Sequence, residues 1–261
     1  MNAQNQLFLL DLDNTLLDTT RFKTDLFNRL AKVINSGGSY QESRPEIARL
    51  YKFYCDTNKG LFSLQGYQDF LVEHFGDFGQ EPAIRDSFLT NYKDYLFPEA
   101  KELVSALEQQ GTVIIWTTGA YQDQLEKLTK TELIAQDKKK AIVDFQADEN
   151  ILSPEKELPL AIVDIGKILG IKDRLNWFLT NFPEHNITLI DNEARNVNGV
   201  IDVGNPRMKA IWFDNGPQKD DQLANSLRSN LPGKIVRLDN LSSIIGSLQP
   251  EGHTSSPEQK G

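Results

Sequence analysis

The sequence predicts an α/β fold, a parallel sheet with helices on both faces, interrupted by an inserted helical block. Three observations carry this prediction. Largely apolar runs, Leu7-Phe8-Leu9-Leu10, Val113-Ile114-Ile115-Trp116 and Ile187-Thr188-Leu189-Ile190, read as strands buried on both faces. Segments of helical periodicity separate them, as parallel strands require. Each run stops at a polar residue able to do chemistry, Asp11, Thr117 and Asp191, where an open parallel sheet keeps its crevice.

Composition sets the bounds. A chain of 261 residues, 39% hydrophobic and 25% charged, is an ordinary soluble globular protein with room for a core and one insertion. The net charge of -9 argues against nucleic acid as the main partner, since a phosphate backbone needs a concentrated basic surface. Cys55 is the single cysteine, which excludes an internal disulfide framework, and His74, His185 and His253 are too scattered for a zinc cluster. No run reaches the length of a membrane span and Met1 to Gln6 lacks a signal core, so no membrane partner and a cytoplasmic location are expected.

After the first strand, residues 19–96 read as helices. Phe22, Leu26, Leu30 and Val33 recur at helical spacing until Gly37-Gly38, and a second helix is expected from Pro45 through Tyr54. Two more are expected around Leu64 to Phe75 and Pro82 to Tyr92. The dense aromatics here, among them Tyr54, Tyr67, Phe70 and Phe88, are expected mainly to pack these helices together, with one or two left to line a pocket. The chain then returns to the core with a helix over Glu99 to Gln110, a strand over Thr112 to Trp116 and a helix from Tyr121 to Leu128. Either Ala141 to Phe145 or Ala161 to Ile165 supplies a third strand, and Asp173 to Phe182 suits a helix. Met208 to Phe213 and Lys234 to Leu238 are the last strands. The division is therefore 1–18 with 97–248 as core, 19–96 as helical insert, and 249–261 as a polar tail expected to be disordered.

The chemistry begins at Asp11 and Asp13. Alternation along an extended chain points both carboxylates the same way, and two such charges 4 Å apart repel by about 4 kcal/mol at an effective dielectric near 20. A hard divalent cation such as magnesium relieves this. An isolated Asp-Asn pair after a strand is more often only a turn, so the downstream residues decide. Thr117, at the end of a neighbouring strand, is placed to donate to a phosphate oxygen, with Thr118 and Gly119 following as substrate-binding candidates. Capping the next helix is an equal role for either threonine. Asp191-Asn192 then brings a third acidic position to a third strand end.

With these residues, the chain resembles the haloacid dehalogenase superfamily in its magnesium-dependent phosphatase branch, over nearly everything from Leu7 to Leu248. Its signature, an apolar run plus Asp-x-Asp-x-Thr, is matched by Asp11, Asp13 and Thr15. The helical insert is similar to the cap those enzymes close over their substrates, on a Rossmann-like parallel core. The resemblance implies that Asp11 attacks phosphorus, that Asp13 serves as acid and base, and that magnesium is held by Asp11, Asp13, Asp191 and Asn192. It further implies that Thr117 and a lysine hold the phosphoryl group. Lys172, beside a helix start, has the best context for that lysine, with Lys167 and Lys156 as alternatives. Dehalogenases of the superfamily lack the second aspartate, so Asp13 favours phosphoryl transfer. Asn192 departs from the usual second acid. Asp-Asn here resembles a branch acting on phosphoserine in polymerase tails, echoed by Trp116-Thr117 and Lys172-Asp173, but that branch lacks the large insert and its protein substrate is not carried over.

The function expected is hydrolysis of a phosphate monoester of a small metabolite through an aspartyl-phosphate. The alternative is a catalytically silent member of the fold that binds a phosphorylated ligand or a protein partner. The absence of Gly-x-Gly-x-x-Gly after a strand argues against a dinucleotide binder.

Overall fold

The computed structural model describes residues 5–34, 40–58, 62–75, 81–117, 121–133, 142–144, 161–164, 170–215 and 221–248. The strands β1 (Gln6–Asp11), β2 (Thr112–Thr117), β3 (Ile142–Asp144), β4 (Ala161–Asp164), β5 (Asn186–Asp191), β6 (Met208–Phe213) and β7 (Ile235–Leu238) form a seven-stranded sheet. Its order is β3-β4-β2-β1-β5-β6-β7 and every pairing is parallel. Both segments offered as the third strand are therefore strands, side by side beyond β2. The chain places β2 on one side of β1 and β5 on the other, so a crevice opens at the carboxyl ends of these three.

Apolar runs make this sheet because both its faces are covered. Phe8 and Leu10 of β1, with Val113 and Ile115 of β2, pack toward α5 (Ala100–Glu108), α6 (Tyr121–Lys130) and α10 (Leu241–Leu248). Leu7 and Leu9, with Ile114 and Trp116, pack on the other face toward α7 (Ile171–Asn181), α8 (Ala194–Val203) and α9 (Asp221–Ser229). The period of two thus sends alternate residues to two separate cores. Gly111 enters β2 where a Cβ would sit 2.3 Å from the Gln6 carbonyl oxygen, so only glycine permits the approach.

Between β1 and β2 lie α1 (Thr19–Ile34), α2 (Tyr40–Thr57), α3 (Leu64–Phe75), α4 (Glu81–Ser87) and a 3-10 turn at Tyr92–Tyr95. Two boundaries differ from the sequence expectation. The second helix starts upstream of Pro45, which lies inside α2 at the cost of one backbone hydrogen bond. The fourth ends at Ser87, because the Asn91 side chain accepts from Lys93 N at 3.3 Å and starts the separate turn. Aromatic rings do pack the insert. Tyr67, fully buried, has the rings of Tyr51, Tyr54, Phe62, Phe70 and Phe88 within 5.4–6.3 Å, and its hydroxyl donates to the Ile47 carbonyl.

The insert's two crossings to the core run together: Asp18 N donates to Tyr95 O at 2.7 Å and Phe97 N to Leu16 O at 2.9 Å. No described helix is long and apolar enough to cross a membrane. The expected disordered tail, 249–261, lies outside the described residues.

Candidate active site

Strand β1 ends at Asp11, and a tight loop follows. Asn14 adopts φ 63° in the left-handed region, Leu16 N and Leu17 N both donate to Leu12 O at 3.0 Å, and the loop turns straight into α1. Asparagine tolerates that conformation, and its side-chain oxygen accepts from Thr20 N and Thr20 Oγ1, each at 3.0 Å. From the far side, Asn215 donates to the Asn14 carbonyl at 2.6 Å. The loop is thus held by β6, β1 and α1 together, which fixes the two carboxylates it carries.

Asp11 accepts from Thr15 Oγ1 at 2.7 Å, so the threonine of the signature orients the first aspartate. Asp13 accepts on Oδ1 from Thr19 Oγ1 at 2.6 Å and from Lys127 Nζ at 2.7 Å. Its Oδ2 takes no hydrogen bond from a described residue. Across the crevice, Asp191 is fully buried at the end of β5 and accepts from Glu193 N at 2.8 Å and Asn196 Nδ2 at 2.9 Å. Asn192, at the edge of burial, holds Trp212 Nε1 with its carbonyl oxygen at 3.0 Å. Thr117 closes β2 one residue beyond Trp116, the register partner of Asp11. Its hydroxyl is buried and finds no hydrogen-bond partner among the described residues.

The charges divide into two sides. Burial, then the charges of Asp191 and Asp13, push the Asp11 carboxyl well above the ordinary value, and Glu193 adds to this. Burial likewise pushes Asp191 up to about 7 against two hydrogen bonds that favour its charge. Asp13 goes the other way. Burial raises it, but the Lys127 ammonium, its hydrogen bond and that of Thr19 prevail, and Lys23 contributes, so it is held below the usual carboxylate range. The Asp11–Asp191 side is short of positive charge; the Asp13 side is supplied with it.

Two of these residues escaped the sequence reading. Lys127 lies on α6 with its side chain only 9% exposed. Its neighbours Asp123, Gln124 and Thr131 are buried too, so α6 carries a polar stripe at helical spacing toward the site. That stripe was the available signal. Asp123 also accepts a hydrogen bond from the backbone of Leu64, the first residue of α3, and so ties α6 to the insert. Glu193, one residue beyond Asn192, is the next acid in the chain; its carboxylate pairs with Arg195 at 2.6 Å and its charge adds to the upward push on Asp11.

Lys172 is not brought to the carboxylates. It is exposed on the first turn of α7, and no hydrogen bond or ion pair among the described residues joins it to Asp11, Asp13 or Asp191. The α7 cation nearest the site is Arg174, stacked 5.6 Å from the Trp116 ring. Thr118, Gly119, Lys156 and Lys167 lie outside the described residues. No group of three or more His, Cys, Asp or Glu residues among the described ones forms a metal cage by itself.

Comparison with known proteins agrees with this architecture. The sequence matches the family model of haloacid dehalogenase-like hydrolases over residues 6–174. A search of curated proteins returned no match. Among solved structures, a haloacid dehalogenase-like hydrolase from Burkholderia xenovorans LB400 is similar, with 17% identity, TM-score 0.60, and 93% of this chain and 96% of that one covered. A protein from Clostridium difficile provisionally named a phosphatase has 12% identity and TM-score 0.53, covering 94% and 99%. A 2-haloacid dehalogenase from Pseudomonas syringae pv. Tomato DC3000 has 15% identity and TM-score 0.51, covering 94% and 98%. At these identities the neighbours establish the fold, and it hosts both chemistries. The family match spans most of the chain, and the sheet and crevice agree with it: the protein belongs to the haloacid dehalogenase-like hydrolases.

Proposed function

We propose that the protein is a magnesium-dependent phosphatase acting on the phosphate monoester of a small metabolite through an aspartyl-phosphate at Asp11. The observation that carries the reading is Asp13: one oxygen is anchored by Thr19 and Lys127, and the other takes no hydrogen bond from a described residue. A departing alkoxide needs a proton, which Asp13 is placed to give, whereas a departing halide needs none.

The residues fit the metal. Asp11, half-buried, and Asp191, fully buried, are two carboxylates whose charges repel, and magnesium commonly takes only one or two protein carboxylates and keeps several waters. Asp11, Asp191 and the Asp13 carbonyl would hold it, with the Asn192 amide as a further oxygen. Bound there, it supplies the positive charge that lets an anionic nucleophile approach a phosphate.

The chain's own groups do the rest. The Asp11 carboxylate attacks phosphorus in line, forming a P–O bond as the bond to the leaving oxygen breaks. Asp13, ionised beside Lys127 in the free protein, takes up a proton as the anionic ester binds and Lys127 turns to the phosphoryl oxygens; it gives that proton to the leaving oxygen and then takes one from the water that attacks phosphorus, which returns Asp11 as a carboxylate. Thr117 Oγ1 and Lys127 Nζ receive the equatorial oxygens as charge spreads over them. The helical insert acts as a cap that excludes bulk water and large substrates. Its thickness of packed rings favours a metabolite over a protein substrate.

The test is hydrolysis of 4-nitrophenyl phosphate by the purified chain with magnesium, with EDTA, and with Asp11→Asn. Metal-dependent turnover lost in the variant supports the reading. Consumption of a 2-haloacid in place of the ester would make the protein a dehalogenase, and binding of phosphate esters without turnover would make it a silent member of the fold.

A further inference from the structure

Helix α1 rises directly from the site. Thr19, its first residue, donates to Asp13, and Phe22, Leu26 and Leu30 bury its inner face. Thr19, Lys23 and Phe27 follow at intervals of four, so they form one stripe leading from Asp13 up into the insert. Tyr51 of α2 lies along this stripe: its ring is 5.3 Å from that of Phe27 and 5.2 Å from Lys23 Nζ. Tyr67, edge-on at 5.6 Å, and Phe62 at 5.1 Å fix the Tyr51 ring from behind. Lys23 therefore stands half-buried between the catalytic loop and an aromatic wall.

Its partner is anomalous. The chain holds 37 acidic against 28 basic residues, yet no carboxylate among the described residues lies within ion-pair distance of Lys23. The face of a tyrosine is a weaker partner for an ammonium than a carboxylate or phosphate is. The charge acts on the Asp13 side of the crevice, where it helps hold that carboxyl down, alongside Cys55 and Tyr51. That is the side the leaving group occupies if Asp13 is its proton donor. The phosphoryl group has Thr117 and Lys127 there already, and Lys23 is surplus to it.

We propose that Lys23 is a specificity residue that pairs with a second anionic group, carboxylate or phosphate, on the leaving-group portion of the substrate, beside the wall of Tyr51. The inference rests on the phosphatase reading for its orientation. It restricts the substrate to phosphomonoesters of small molecules that carry another negative charge a few bonds from the ester oxygen. An uncharged alcohol phosphate would leave the ammonium half-desolvated over a ring.

The experiment compares propyl phosphate with its ω-carboxylate and ω-phosphate analogues, on the full chain with magnesium. Wild-type kcat/KM is expected to favour one anionic analogue by roughly 10-fold or more, the scale of one charge-assisted hydrogen bond. The carboxylate and phosphate arms show which anion the site accepts. In Lys23→Met the ratio of anionic to neutral kcat/KM collapses toward unity, mainly through KM, and Lys23→Arg restores part of it. Equal treatment of all three esters by the wild type, or an equal loss on all three in Lys23→Met, overturns the proposal while leaving the phosphatase reading intact. Dissociation constants for the same compounds on Asp11→Asn with magnesium give a readout free of turnover. If nothing is hydrolysed but the anionic analogues bind more tightly through Lys23, the phosphatase reading fails and the specificity role stands. If none binds, both fall.

Discussion

Thr117→Val should make the ligand-free protein more stable and the enzyme worse. The Thr117 hydroxyl is buried, with no hydrogen-bond partner among the described residues, at the mouth of a crevice between β1 and β2. A buried hydroxyl left unpaired costs about 1–3 kcal/mol in lost hydration. Valine has the same branched shape, suits a strand, and removes only the polar atom. Taking the low end, because the crevice admits some water, gives a gain of about 1 kcal/mol. For a chain of this size that is a rise in melting temperature of about 2–4 °C. Losing one donor to a charge-bearing oxygen costs about 100-fold in kcat, which is about 2.7 kcal/mol. The assay pairs thermal unfolding in EDTA with turnover of an aryl phosphate in magnesium. Opposite signs in the two measurements are what the geometry demands. A Thr117→Val protein that melts several degrees lower, or that retains full turnover, would show that the hydroxyl serves the fold and not a ligand.

Further outcomes follow from neighbouring groups. Lys127→Met removes the ammonium 2.7 Å from Asp13 and leaves a largely buried carboxylate with one hydrogen bond; stability in denaturant should fall by about 1.5–3 kcal/mol, and an unchanged midpoint would contradict the pairing. Magnesium should raise the melting temperature by relieving the Asp11–Asp191 repulsion, and Asp191→Asn should abolish that rise; a variant stabilised like wild type would place the cation elsewhere. Asp214, its side chain 2% exposed, is held low by its hydrogen bond from Arg228 against burial, with Arg237 assisting. Its folded value lies below its unfolded one, so its contribution is present above about pH 4 and is lost as pH falls through the folded value. The stability gap between wild type and Asp214→Asn, followed by urea unfolding, should hold from pH 7 to about 4 and then narrow; a gap that stays constant to pH 2 would refute the sign.

The frame of this protein was legible because parallel strands advertise themselves. Leu7 to Leu10 are apolar without alternation since two cores flank the strand, and the residues that follow such runs fall in the crevice by topology. Asp11, Thr117 and Asp191 accordingly stand at the ends of β1, β2 and β5, with Asp13 in the loop after β1. Lys127 was not legible, because its meaning is tertiary: a lysine four residues after Asp123 on an amphipathic helix looks solvated until α6 is laid between sheet and insert. Lys172 stands at a helix start in the expected order, but it is exposed there and no hydrogen bond or ion pair among the described residues ties it to the carboxylates. Glu193 was passed over because an acid was sought one residue earlier; in the turn after β5 its backbone N–H donates to Asp191 while its carboxylate pairs with Arg195. The aromatics of the insert were read correctly as packing, yet Tyr51 also faces Lys23, a double role that spacing does not reveal.

The central claim is that Asp11 carries the phosphoryl group, and trapping the intermediate tests it most directly. The protein would be mixed with a turned-over phosphate ester and magnesium, quenched in acid within one turnover, and reduced with borohydride, which converts an acyl phosphate to an alcohol. Peptide mass spectrometry should then find homoserine at position 11, with Asp13 and Asp191 unaltered and nothing converted in Asp11→Asn. Reduction at another aspartate, or turnover with every carboxylate intact, would contradict the mechanism.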